Sequence, residues 1–150
     1  MELTSFHDII DFAIKREEEA FLTYGRMRKM AQTPGLEKLL AELQQEEKKH
    51  RELLQDITRE KIGSLEIQEV TDLKISDYLV EEPSGAEMNF QDLLILAAKK
   101  EQKAADLYSD LGKKAKREEI KKLFDFLVQQ EKAHKLRLEE EYDKQVLEED

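Results

Sequence analysis

Cysteine is absent from this 150-residue chain. That absence excludes a disulfide framework, an iron–sulfur centre and a thiolate zinc site. Proline and glycine are scarce, at 2 and 5 residues, so few points exist at which a long helix would have to stop. Long apolar runs are missing as well, and nothing approaches the length of a membrane span. The opening residues, Met1-Glu2-Leu3-Thr4-Ser5, form neither a basic n-region nor an apolar h-region, so no signal peptide is expected and a cytoplasmic location is the default. Positive charge is in deficit. A formal net charge of -10 argues against a nucleic-acid backbone or an anionic membrane as partner.

What the chain has instead is 40% charged and 39% apolar residues, the mixture of long amphipathic helices. Its length suits one domain over residues 1–150 with a core of moderate size. The periodicity predicts four helices, over about 5–32, 34–57, 89–112 and 117–142. The fold expected is an all-α, antiparallel four-helix bundle made of two helical hairpins joined by a long crossover over about 58–88.

Each helix carries an apolar stripe at spacings of three and four. The first reads Phe6, Ile9, Ile10, Ala13, Glu17, Ala20, Phe21 and Tyr24; the second Leu36, Leu39, Leu40, Leu43, Glu47, His50 and Leu54. The third reads Phe90, Leu93, Leu94, Ala97, Glu101, Ala104 and Tyr108; the fourth Ile120, Leu123, Phe124, Leu127, Glu131, His134 and Leu138. Ser5 with Asp8, and Asn89 with Asp92, have the spacing of capping boxes. Thr33-Pro34 offers an N-cap followed by a proline at the first helical position. A turn is expected around Gly112–Arg117. Between 58 and 88 the helical period fails. Gly63, Pro83 and Gly85 interrupt it, with room for a short helix near Ser76–Val80. Beyond Tyr142 the acidic end is expected to fray.

Charged residues inside apolar stripes need a reason. Glu17, Glu47, Glu101 and Glu131 all occupy inward positions, and Glu47-x-x-His50 and Glu131-x-x-His134 each aim a carboxylate and an imidazole at one point. The two motifs lie 84 residues apart, and the same offset carries Glu17 to Glu101 and Tyr24 to Tyr108. Residues 5–56 lie on 89–140 without a gap. The repeat selects among neighbours: Glu18 falls on Gln102, Glu19 on Lys103 and Glu46 on Gln130, so only Glu17 and Glu47 have Glu partners. One Glu-x-x-His in a Glu-rich chain is commonplace; two at one offset, with matched Glu and Tyr, are not. The bland alternative is solvated Glu and satisfied core His. Four carboxylates buried together would cost several kcal/mol each without counter-charge, whereas two divalent cations would neutralise them. The expected site is therefore a pair of metal ions held by four Glu and two His. Tyr24 and Tyr108 lie too far along their helices to be ligands beside Glu17 and Glu101; each either hydrogen-bonds a carboxylate of a neighbouring helix or simply packs. His7, matched by Gln91, and the methionines Met27, Met30 and Met88 read as surface or core filler.

Glu17 with Ala20 and Tyr24, Glu47-x-x-His50, Glu101 with Ala104 and Tyr108, and Glu131-x-x-His134 together resemble the rubrerythrin family of ferritin-like di-iron proteins, over nearly the whole chain. The resemblance implies two Fe ions per chain, with Glu17 and Glu101 as terminal ligands, Glu47 and Glu131 as bridges, and His50 and His134 on one metal each. Manganese or a mixed Mn/Fe pair satisfies the same ligand set. The implied function is an oxidoreductase reducing hydrogen peroxide or O2. Two departures stand out. Rubrerythrins proper carry a rubredoxin-like domain with four Cys, absent here, so the electron donor would be external, such as a rubredoxin-like protein. They also carry a further Glu one turn after the third-helix ligand, where this chain has Ala104. Iron handling (a ferroxidase or small iron store) and a non-enzymatic, metal-stabilised adaptor are the competing functions. A homodimer is the expected assembly.

Overall fold

The computed structural model describes residues 3–4, 6–59, 70–82 and 88–149. In chain order these form β1 (Leu3–Thr4), α1 (Phe6–Met30), α2 (Pro34–Arg59), β2 (Val70–Lys74), a 3-10 turn (Ile75–Tyr78), α3 (Phe90–Lys114) and α4 (Glu118–Glu149). The architecture is an all-α four-helix bundle. The helices α1 and α2 pack as one hairpin, and α3 and α4 as the other.

Local chemistry sets the helix starts. Thr33 Oγ1 accepts a hydrogen bond from the Leu36 amide at 3.2 Å, with Pro34 as the first helical residue, where its missing N–H costs nothing. At α3, Asn89 Oδ1 accepts from the Asp92 amide at 2.8 Å while Asp92 Oδ2 accepts from the Asn89 amide at 3.3 Å, a complete capping box. The corresponding cap expected at Ser5 lies outside the described residues, as do Gly63, Pro83 and Gly85.

Three features differ from the sequence reading. First, α4 does not fray after Tyr142 but continues to Glu149. Its last segment consists mostly of helix formers, with neither Gly nor Pro, and Tyr142 is half-buried against the core. Second, α3 passes through Gly112 to Lys114. Gly112 is a packing residue rather than a stop: a Cβ there would stand 3.3 Å from Phe124 Cβ, so its absence lets α3 approach α4. Third, the crossover contains a strand. β2 pairs antiparallel with β1, Leu3 opposite Lys74 and Thr4 opposite Val70, before the 3-10 turn seats Tyr78 on Asp110 through a 2.7 Å hydrogen bond from its hydroxyl.

The core falls into two apolar clusters. One gathers Phe6, Ile9, Ile10, Leu54, Leu107, Tyr108, Phe124 and Leu127; the other Tyr24, Met27, Leu40, Leu43, Leu94 and Leu138. Buried Glu17, Glu47, His50, Glu101, Glu131 and His134 belong to neither. No described helix is long and apolar enough to cross a membrane.

Asn89→Ala removes the α3 cap and should lower stability by about 1 kcal/mol. Phe124→Ala, which empties a fully buried position stacked on Tyr108, should cost about 3–5 kcal/mol. Chemical denaturation measures both.

Candidate metal centre

All six sequence-derived candidates come together. Glu17 from α1, Glu47 and His50 from α2, Glu101 from α3, and Glu131 and His134 from α4 are each at most 2% exposed. Among the described residues, two groups of ligand atoms lie within 4.8 Å of one another: Glu17, Glu47, His50 and Glu131, and Glu47, Glu101, Glu131 and His134. Glu47 and Glu131 are common to both. Glu47 Oε1 stands 3.2 Å from the Nδ1 atoms of both His50 and His134, and Glu131 Oε1 stands 3.0 Å and 3.6 Å from them. The two imidazole rings stack with centroids 5.7 Å apart.

Both imidazoles turn Nδ1 inward and Nε2 outward. His134 Nε2 lies 3.0 Å from Glu46 Oε2, and His50 Nε2 lies 3.4 Å from Gln130 Oε1. Each outer partner is the residue just before the opposite hairpin's inward Glu. The tyrosines follow the same cross-hairpin rule. Tyr24 donates to Glu101 Oε1 at 2.8 Å, and Tyr108 donates to Glu17 Oε2. Burial and neighbouring carboxylates push both phenols well above their usual pKa, so they remain donors. Such outer contacts fix the orientation of groups that bind metal.

Arg16 was not among the candidates. It is 9% exposed, and its Nη2 donates to Glu17 Oε1 at 3.0 Å, to Glu47 Oε2 at 3.1 Å and to Glu131 Oε2. Burial would lower its pKa, but Glu17, Glu131 and Glu47 raise it further, so it stays cationic. A signal was available. Arg16 falls on Lys100 in the repeat, a cation beside an inward Glu in both halves. Lys100, however, pairs with Glu82 of the crossover.

Electrostatics divides the layer unequally. Burial would raise the Glu17 carboxyl, yet Arg16 and His50 hold it below its ordinary value. Burial and Glu17 push Glu47 up, but His134, His50 and Arg16 bring it down to about 2. Glu131 goes the other way, driven well up by burial and by Glu101, Glu17 and Glu47. Burial opposes protonation of both imidazoles, but adjoining carboxylates dominate, raising His50 to about 10 and His134 to about 12.

These residues fit a pair of metal ions. Glu47 Oε1, His50 Nδ1, Glu101 Oε2, Glu131 Oε1 and His134 Nδ1 are buried polar atoms without a hydrogen-bond partner, although they face one another. Buried polar atoms are ordinarily satisfied, and a shared pair of cations would satisfy these. Carboxylate oxygen with imidazole nitrogen suits first-row metals such as iron or manganese. Inward Glu residues and two Glu-x-x-His motifs on four helices are the arrangement of carboxylate-rich two-metal bundles.

The comparison with known proteins agrees. The family model described as Rubrerythrin matches residues 8–142, and the chain belongs to that family. Among solved structures, it is similar to a candidate ferritin-like diiron-carboxylate protein of Thermotoga maritima, at 19% identity and TM-score 0.80, over 97% of this chain and 99% of that one. A hypothetical protein of Pyrococcus furiosus has 27% identity and TM-score 0.70, over 93% and 89% of the two chains. A conserved hypothetical protein of Mycobacterium tuberculosis has 12% identity and TM-score 0.66, over 90% and 95%. No curated protein matches the chain.

A metal ion must replace protons at imidazoles held charged. Loading the metal-free protein at pH 7 should therefore release protons, measurable as acidification of a weakly buffered solution. Metal affinity should weaken as pH falls.

Proposed function

We propose that this protein is a di-iron oxidoreductase that reduces hydrogen peroxide or O2 with electrons from an external donor. One observation carries the reading: two ligand groups share Glu47 and Glu131, and each is closed by its own Glu and His. In this assignment Glu47 and Glu131 would serve both positions. Glu17 with His50 completes one position, and Glu101 with His134 the other.

Bound there, two Fe(II) ions would supply both electrons for one peroxide, so no one-electron product need escape. The chain's own residues do the rest. The carboxylates hold hard oxygen donors in place, which favours the oxidised metal. Tyr24 and Tyr108 fix the orientation of Glu101 and Glu17 through the hydrogen bonds described, and Glu46 and Gln130 fix the imidazoles. The flanking apolar clusters keep bulk water from the layer, which strengthens every charge interaction inside it. A cleft of about 410 Å³, lined in part by Phe12, Arg16, Tyr78 and Lys100, gives a small oxidant an approach as far as Arg16. Residues 1–150 contain no cysteine and so hold no iron–sulfur relay of their own; in this reading the electrons come from a donor of rubredoxin-like chemistry.

Metal-free protein reconstituted anaerobically with Fe(II) should retain two irons per chain after desalting. Peroxide should then produce ferric absorption, and a reductase with its donor should return the site to Fe(II) and sustain peroxide consumption. Failure to retain metal overturns the reading. Iron well above two per chain would point to storage instead. Glu17→Ala should lower the iron content while far-UV circular dichroism shows the helices intact.

A further inference from the structure

Two mismatches of the 84-residue repeat set the two metal positions apart: Arg16 against Lys100, and Glu46 against Gln130. Glu17 has both oxygens engaged: Oε1 accepts from Arg16 and Oε2 from Tyr108. Its counterpart Glu101 accepts from Tyr24 at Oε1, while Oε2 is buried without a hydrogen-bond partner and lies 3.5 Å from His134 Nδ1. The cause is Arg16. Its guanidinium stands among the carboxylates, whereas the repeat-related Lys100 is 22% exposed and pairs with Glu82. The second difference lies behind the imidazoles. His134 Nε2 faces the Glu46 carboxylate, whose other cationic neighbour is Arg137 at 3.8 Å. His50 Nε2 faces the neutral Gln130 amide at a longer distance. A carboxylate behind a metal-binding imidazole makes it a stronger donor than an amide does.

We propose that the two metal positions are inequivalent and fill in order, the Glu101–His134 position first and the Glu17–His50 position second, because Arg16 acts as a resident counter-cation that the second metal must displace. The proposal rests on the two-metal reading above. At the Glu101–His134 position a free carboxylate oxygen and a carboxylate-backed imidazole already face each other. At the Glu17–His50 position the guanidinium holds the terminal carboxylate, and a divalent ion there would stand against a fixed positive charge. The cleft on the outer side of Arg16, with Glu19 on its wall, gives the displaced side chain room and a carboxylate.

The test is an anaerobic titration of the metal-free protein with Co(II), followed by visible absorption and calorimetry. The wild type should bind two equivalents in resolved steps, the first tighter by about tenfold or more. His50→Ala should keep the tight step, and His134→Ala should lose it. Arg16→Met, which keeps an unbranched apolar stem but removes the guanidinium and its charge, should tighten the second step and narrow the gap. Gln130→Glu changes no residue of the two ligand groups and should narrow the gap as well, so the proposal remains testable if the Arg16 variant does not fold without metal. Two equal affinities in the wild type, or a second step unchanged or weakened in both variants, would overturn the inference alone. Absence of any cobalt binding would overturn the two-metal reading, and the inference with it.

Discussion

Four carboxylates buried in one layer of a helical bundle repel one another, and the rest of the structure depends on how that repulsion is met. Neutral packing cannot offset it, because each unpaired charge in such surroundings costs several kcal/mol. Without metal, the answer is partial. Arg16 contributes one positive charge, the imidazoles of His50 and His134 hold protons, and Glu131 is driven towards its neutral form. The unpartnered atoms that remain measure what this arrangement leaves undone. The apolar clusters both isolate the layer and supply the hydrophobic stabilisation that lets so polar a layer be tolerated.

The helical period and the internal repeat made much of this legible in the sequence. A Glu that falls where an Ala or Leu stripe should continue is conspicuous, and the 84-residue offset chose Glu17 over Glu18 and Glu47 over Glu46. The pattern could not assign Arg16. A long cationic side chain beside a stripe usually reaches outward to water, and Lys100 does pair outward with Glu82. Only the three-dimensional proximity of Glu17, Glu47 and Glu131 reveals why Arg16 turns in. The β1–β2 pairing was hidden for a different reason: a strand of two residues carries no usable alternation, and its partner lies 66 residues beyond Thr4. Gly112 misled because glycine marks both helix ends and close helix contacts, and periodicity alone does not distinguish them.

Glu46 and Gln130 illustrate a subtler limit. The repeat set them apart from Glu47 and Glu131, yet the mismatch that argued against their being ligands is the one that places unlike groups behind His134 and His50. A position where two halves disagree is easily passed over when the halves are being searched for agreement.

Apart from those that Arg16 makes to Glu17 and Glu47, the contacts that orient the layer run between hairpins. Tyr24 and Glu46 of the first hairpin hold Glu101 and His134 of the second, while Tyr108 and Gln130 of the second hold Glu17 and His50 of the first. Two identical hairpins related by a strict two-fold axis would satisfy that reciprocal scheme equally well. They could not place a guanidinium on one side and an ammonium on the other. Joining the hairpins in a single chain gives each copy its own address, and so allows a symmetric scaffold to carry an asymmetric charge.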